Sequence, residues 1–293
     1  MRSLLFIPGD SPKKLDKGMT SGADALIVDL EDSISPANKD AARKTTLDFL
    51  KNARASKPRP RLLVRVNAIE TGLIDGDLDA VMAAAPDAVM LPKAEGGASV
   101  IHLDAKLAVR EAENALPENA IGIVAIATET ATALFLAGTF RNASKRLTGL
   151  TWGAEDLSAD LGAEANRDAD GNFLDPYRLA RSLCLAGAAS ANVQAVDTVY
   201  VDFRNDAGLR RETLEARRDG FTAKMAIHPA QVPIINDVFT PDAEQVAHAR
   251  RVVAAFAAAP GGGVVGIDGV MYDRPHLVRA QALLARAKAA GVV

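Results

Sequence analysis

Apolar runs of strand length alternate with Ala-rich, charged stretches of helical length along this 293-residue chain, and that alternation predicts an α/β fold. Eight such pairs fit into about 230 residues, the size of a (β/α)8 TIM barrel. Most of the runs are nearly continuously apolar, as parallel strands covered on both faces are. Hydrophobic residues make up 48% of the chain, enough for the large core such a barrel needs.

The elements follow in order. The first strand is SLLFIP, Ser3–Pro8, after which Gly9 and Asp10 break the run. DALIVDL (Asp24–Leu30), RLLVRVN (Arg61–Asn67) and DAVMLPK (Asp87–Lys93) are the second to fourth. IGIVAIATE (Ile121–Glu129), LTGLTWG (Leu147–Gly153), DTVYVD (Asp197–Asp202) and AKMAIHP (Ala223–Pro229) complete the set. Helical spacing recurs between them, as in Lys39–Ala55 and Asp104–Leu116. From about Asn236 the pattern changes. Asp242–Ala259 reads as a helix, PGGGVVGIDG as a turn or hairpin, and Arg274–Gly291 as a helix with Pro275 near its start and Gly291 near its end. The chain therefore divides into a barrel, residues 1–235, and a C-terminal helical extension, residues 236–293. The extension has too little core to stand alone, and is expected to pack on the barrel or on a neighbouring subunit.

Bulk properties narrow the function. A net charge of −3 gives no reason to expect nucleic-acid binding. No apolar run approaches the roughly 18 residues needed to cross a bilayer. The first apolar run is too short for a signal peptide. The single cysteine, Cys184, excludes an internal disulfide and reads as a small core residue in YRLARSLCLAGAAS. The expectation is a soluble, cytoplasmic protein.

In a barrel of this kind, chemistry sits at the carboxyl ends of the strands. Read in order, those ends carry Asp29, Glu31 and Asp32; Arg65 and Asn67; Lys93; Glu129; Asp156; Asp202 and Arg204; and His228. So many ionisable groups on one rim point to an active site. Carboxylates dominate and no cysteine is among them, which favours Mg2+ over Zn2+. Glu129 and Asp156, at adjacent strand ends, are the candidate ligands. A second reading makes TETATALF a helix start, with Thr128 or Thr130 as its cap. Arg65 lies between Val64 and Val66 and needs a partner. It forms either an ion pair with a barrel carboxylate or a fork that holds a substrate carboxylate.

LLFIPGDSPKKLDK, IVDLEDSI, LLVRVN, IATETA, GAEDLSADLG, VDTVYVDFRN, AKMAIHPAQVPIINDVF and GVMYDRPHLVRAQALL occur in this order. Together they resemble the β subunit of citrate lyase and its stand-alone relatives in the HpcH/HpaI aldolase superfamily. The resemblance runs from Leu4 to about Leu284. It implies a Mg2+ held by Glu129 and Asp156, a substrate-gripping Arg65, and Asp29, Glu31 and Asp32 around the metal, commonly through water. It also implies contacts from Lys13 and Lys17 to coenzyme A phosphates, from Phe6 near the acyl end, and from Met225, Ala226 and His228 beside the CoA. Asp273, in GVMYDRPH, is implied as an acid/base that reaches a neighbour's site, which requires an oligomer, with a trimer favoured. Each position has a plainer reading: Lys13 and Lys17 as a solvated helix face, His228 as a turn cap, Asp273 as a helix cap. TAK replaces the frequent GGK or TGK, and Tyr272 a frequent Ile, neither at a proposed ligand. The implied reaction splits a 3-hydroxy-3-carboxy acyl-CoA of citryl, malyl or citramalyl type into an acyl-CoA and a 2-oxo acid. The alternatives are a malyl-type CoA thioesterase, a citrate lyase complex subunit acting on an acyl-carrier-protein thioester, and a CoA-independent metal aldolase.

Overall fold

The computed structural model describes residues 1–259 and 261–293, and they form two compact units, Met1–Ile235 and Asn236–Val293. The first is a TIM barrel. Strands β1 (Ser3–Pro8), β2 (Ala25–Asp29), β3 (Arg61–Arg65), β4 (Ala88–Leu91), β5 (Gly122–Ile126), β6 (Leu147–Thr151), β7 (Gln194–Asp197) and β8 (Ala223–Ala226) close in sequence order. Every neighbouring pair is parallel, and β8 closes on β1 through Leu4↔Met225. Leu4, Ile27, Leu63, Met90, Val124, Ile126, Val196 and Met225 interleave with Ala25, Ala88 and Ala223 in one buried cluster. Mixing large and small side chains fills the barrel as a packed core and leaves no pore.

Helices α1 (Pro12–Met19), α2 (Lys39–Ala55), α3 (Ile74–Val81), α4 (Gly97–Glu113), α5 (Ala131–Leu136), α6 (Ala154–Asp160), α7 (Asp175–Ala191), α8 (Asp206–Asp219) and α9 (Gln231–Phe239) follow the strands. The chain between β6 and β7 holds two of them, α6 and α7. None of the helices is long and apolar enough to cross a membrane, among the described residues.

The seventh strand differs from the sequence reading. It lies at Gln194–Asp197, and the apolar run Asp197–Asp202 is mostly rim. Its partner β8 is four residues long, and the β7–β8 ladder ends at Asp197↔Lys224. Beyond it the Tyr200 carbonyl accepts from Gln231 Nε2 at 2.8 Å, so that segment's bonding goes to a side chain.

In the second unit, α10 (Ala243–Ala258) and α11 (Arg274–Ala289) pack on each other and beside a hairpin of β9 (Val264–Ile267) and β10 (Val270–Asp273). Ala249, Val252, Phe256, Val265 and Ala280 form its core. Asp268 and Gly269, with φ of 51° and 79°, make the two-residue turn. Pro260, which opens the glycine-rich run, lies outside the described residues.

Candidate active site

Five consecutive strands deliver the site. β2 ends at Asp29 and the chain turns through Glu31 and Asp32. Arg65 ends β3, Lys93 follows β4, Glu129 follows β5, and Asp156 sits in the first turn of α6 after β6. Glu129 and Asp156 thus stand just beyond the strand ends, on the turns.

Arg65 is fixed by its neighbours. Its Nε and Nη2 donate to the two oxygens of Asp29 at 2.7 and 2.8 Å. Asp29 also accepts from the backbone N–H groups of Glu31 and Ser33. The remaining nitrogen, Nη1, is 3.0 Å from Glu31 Oε2 and 3.6 Å from Asp32 Oδ2. The guanidinium also lies 4.8 Å from the centre of the Phe6 ring, a cation–π contact. Of the two sequence readings of Arg65, the ion pair with a barrel carboxylate is the one present here. The fork is an ion pair with a barrel carboxylate, and Nη1 is the nitrogen turned toward the other acids. Burial works against the charge on Asp29, but hydrogen bonds and charge from Arg65 outweigh it and hold the carboxyl below its usual range. Burial likewise opposes the charge on Arg65, and Asp29, Glu31 and Asp32 overcome it and keep it charged.

Lys93 stands at the centre of the acids. Its Nζ is 2.8 Å from Glu31 Oε1, 3.1 Å from Asp156 Oδ1, 3.9 Å from Asp32 Oδ2 and 4.0 Å from Glu129 Oε1. Its backbone has a left-handed φ of 50°, and its N–H donates to Glu129 Oε1 at 2.6 Å. Such a conformation costs a β-carbon-bearing residue about 1–3 kcal/mol and is retained where the surroundings demand it.

Two cations face five carboxylates, and burial together with the excess negative charge works against the ionised acids. Glu129 is pushed up to about 8, first by burial and then by the charge of Asp156, with Lys93 pulling the other way. Glu31 is also raised, chiefly by burial, despite Arg65 and Lys93. Glu31 Oε2 is buried and, although 3.0 Å from Arg65 Nη1, accepts no aligned hydrogen bond. A buried acid surplus with one ammonium between Glu129 and Asp156 fits a divalent cation, which would favour the charged form of Glu129. Among the described residues, no three His, Cys, Asp or Glu side chains converge as a closed cage. That leaves a two-carboxylate site of the kind Mg2+ accepts, with its other positions open to water and substrate. The helix reading of TETATALF holds as well: Thr130 Oγ1 caps α5 by accepting from the Ala133 N–H at 3.2 Å, which leaves the Glu129 carboxylate free of capping.

The remaining sequence candidates have plainer surroundings. Lys13 and Lys17 are exposed on α1, and among the described residues neither pairs with an acid. Met225 is part of the barrel core and accepts from the Thr151 hydroxyl at its sulfur, and Ala226 is fully buried. His228 is exposed, stacks on Phe203 at 4.8 Å, and its Nδ1 accepts from the Ala230 N–H, the turn-cap arrangement. Asp273 is the N-cap of α11 in the second unit, where a hydrogen bond from His276 holds it below the usual carboxylate range. Asn67 braces the rim, donating to Asp77 and Leu30 and accepting from Lys39.

The sequence profile of the HpcH/HpaI aldolase/citrate lyase family matches residues 2–229. The chain belongs to this family. It is 33% identical over 290 residues to citrate lyase subunit beta of Leuconostoc mesenteroides subsp. cremoris, spanning 98% of this chain and 93% of that protein. It is 35% identical over 297 residues to (3S)-malyl-CoA thioesterase of Cereibacter sphaeroides, spanning 98% and 95%. Among solved structures, the family member CitE of Mycobacterium tuberculosis, in complex with magnesium, acetoacetate and coenzyme A, superposes with a TM-score of 0.78 at 35% identity. The match covers 98% of each chain.

Proposed function

We propose that this protein is a Mg2+-dependent carbon–carbon lyase that cleaves a 3-hydroxy-3-carboxy acyl-CoA thioester into an acyl-CoA and a 2-oxo acid. One observation carries the reading: Glu129 and Asp156 flank a single ammonium, beside an arginine whose Nη1 faces the same acids. The family relatives support it, since CitE was crystallised with magnesium, acetoacetate and coenzyme A and another relative is a citrate lyase subunit.

Glu129 and Asp156 would hold the ion. When bound, it supplies a Lewis acid for the hydroxyl and carboxylate oxygens of the substrate's acid end. Arg65 Nη1 grips that carboxylate and offsets charge that gathers on its oxygens during cleavage. Asp29 keeps the guanidinium plane in place, and Phe6 covers its face. Lys93 holds Glu31 while its N–H keeps Glu129 oriented. When the C–C bond breaks, the hydroxyl gives up its proton as its oxygen becomes the carbonyl of the 2-oxo acid, and the electron pair stays with the acyl α-carbon, which takes a proton up. We assign this exchange to Asp273, whose carboxylate takes the hydroxyl proton and returns one to the α-carbon, supplied from a neighbouring subunit of a homo-oligomer, with Lys13, Lys17 and His228 along the CoA. A positioned acid/base contributes on the order of 10²–10⁴-fold.

The test is a panel of citryl-, malyl-, methylmalyl- and citramalyl-CoA with Mg2+, read as acyl-CoA plus 2-oxo acid. Turnover should vanish with chelator and return with Mg2+; turnover indifferent to chelator would end the proposal. Mixing Asp273→Asn with Arg65→Ala protomers should restore activity that neither has alone, and no recovery would remove Asp273 from the neighbour's site. The second reading, a thioesterase, has support from the 35% identity to (3S)-malyl-CoA thioesterase. It releases free CoA and the intact hydroxy acid, so the same panel separates the two.

A further inference from the structure

Beside the acid cluster the barrel buries a second ionic group. Asp197, at the end of β7, is fully buried. Its carboxylate accepts from Lys224 Nζ at 2.9 Å and Arg181 Nε at 3.1 Å. Lys224 also donates to Glu212, which accepts from Arg167 at 2.7 Å, while Arg181 reaches Asp219. Arg218 also donates to Asp219 at 3.1 Å, so four cations face three carboxylates. Burial opposes the charge on Asp197, yet Lys224 and Arg181 keep it ionised. Nothing in that grouping calls for a further donor, but Asp197 Oδ1 accepts one more bond, from Trp152 Nε1 at 2.9 Å.

Trp152 connects this group to the site. The indole is fully buried and meets Phe173 edge-on at 5.0 Å. The next residue is Gly153, where a β-carbon would stand 3.0 Å from Glu129 Oε2 and 3.1 Å from Glu129 Cβ. The turn therefore presses its backbone directly onto Glu129. Ala154 then opens α6, whose first turn carries Asp156. On the other side, the Ala127 N–H donates to the Thr151 carbonyl at 2.7 Å, joining the Glu129 loop to the same turn. The indole is thus the point at which a charged anchor on β7 holds the segment that sets Glu129 against Asp156.

We infer that Trp152 is a positioning residue: its bond to the Asp197 anchor fixes the Thr151–Ala154 turn and thereby the spacing of Glu129 and Asp156. The inference rests on the metal reading proposed above. Positioning bonds behind metal ligands are typically worth about 10–100-fold in metal affinity, and one acting through a turn belongs at the lower end.

Trp152 is the sole tryptophan of the chain, so its emission reports on this turn without any substitution. Titrating the unmutated protein with Mg2+ should give a saturable change in tryptophan emission whose midpoint equals the Kd from calorimetry. Trp152→Phe keeps a buried ring and removes the N–H. It should raise the calorimetric Kd for Mg2+ about tenfold while unfolding cooperatively. A merely structural indole would lower the melting temperature and leave Kd alone. Mg2+ binding with unresponsive emission and a Trp152→Phe Kd within about twofold of the parent overturns the positioning role and leaves the metal reading standing. Absence of Mg2+ binding in the unmutated protein overturns both. If Trp152→Phe does not fold, the emission titration decides alone.

Discussion

Replacing Asp29 by Asn tests the frame of the site in stability and in turnover at once. Asp29 is 2% exposed and accepts four hydrogen bonds, two from Arg65 at 2.7 and 2.8 Å and two from backbone N–H groups at 2.9 and 3.1 Å. Asn keeps one acceptor oxygen, and its amide nitrogen then faces donors. Breaking a buried ion pair costs about 3–5 kcal/mol. Here Glu31 and Asp32 stay beside Nη1 at 3.0 and 3.6 Å, so the guanidinium is not stranded. We expect a loss of about 2–3 kcal/mol, read as a fall in Tm of about 4–12 °C. The freed fork should swing toward Glu31 and lower kcat/KM about 100-fold, the typical effect of a small misplacement. The pH dependence has a definite sign. Asp29 is depressed in the folded state, so its contribution is complete above its unfolded value of about 3.9 and is lost as pH falls through the folded value. Parent and variant should therefore converge in acid. A variant within about 0.5 kcal/mol of the parent, with unchanged kcat/KM, would refute the role of Asp29 in holding Arg65.

Other outcomes follow from the same physics. Because Glu129 titrates at about 8 and must be ionised to bind a cation, Mg2+ affinity should rise about tenfold per pH unit up to that value and then level off; a flat profile from pH 6 to 9 would contradict it. Asp87 accepts from Arg59 and from the Leu62 N–H and is held below its usual range, where burial alone would raise it. Asp87→Asn should cost about 1–2 kcal/mol near neutrality, a difference that urea titrations should find fading as pH drops below about 4. The Cys184 thiol is fully buried and burial drives its ionisation far upward, so a thiol reagent should label it only after denaturation.

Much of this molecule could be read from its residues. Continuous apolar runs are what a strand covered on both faces requires, and seven of the eight predicted strands lie where those runs are. The seventh was misplaced because residues 198–201 are as apolar as a strand, while the β7–β8 ladder ends at Asp197↔Lys224 although β8 runs on to Ala226. The ends were read too long for the same reason: apolar character continues into the rim, but the ladder stops. Rim position brought out Asp29, Glu31, Asp32, Arg65, Glu129 and Asp156, because the carboxyl ends of barrel strands converge on one face. Lys93 was placed on the rim but not at the centre of the site. What puts it there is a left-handed backbone and the approach of acids from β2, β5 and β6, none of which the dipeptide Pro92-Lys93 encodes.

Lys93 also bears on why the acids are arranged as they are. A buried acid pair raises its own pKa unless positive charge is near, and fixed positive charge near a metal site weakens the metal. The two demands conflict, and the geometry separates them. The Lys93 backbone N–H is a fixed dipole on Glu129 Oε1 at 2.6 Å, while its charged Nζ is 4.0 Å from that oxygen and bonded to Glu31 at 2.8 Å. One residue thus orients Glu129 through an uncharged donor and lends its charge chiefly to Glu31 and Asp156. On a flexible stem the ammonium can withdraw toward Glu31 and leave Glu129 and Asp156 to a divalent ion. An arginine at this position would place a broad, rigid fork among the acids. Lys93→Arg should therefore weaken Mg2+ binding more than Lys93→Met does. Calorimetric Kd values in the opposite order would show that charge alone, and not its ability to retreat, governs the site.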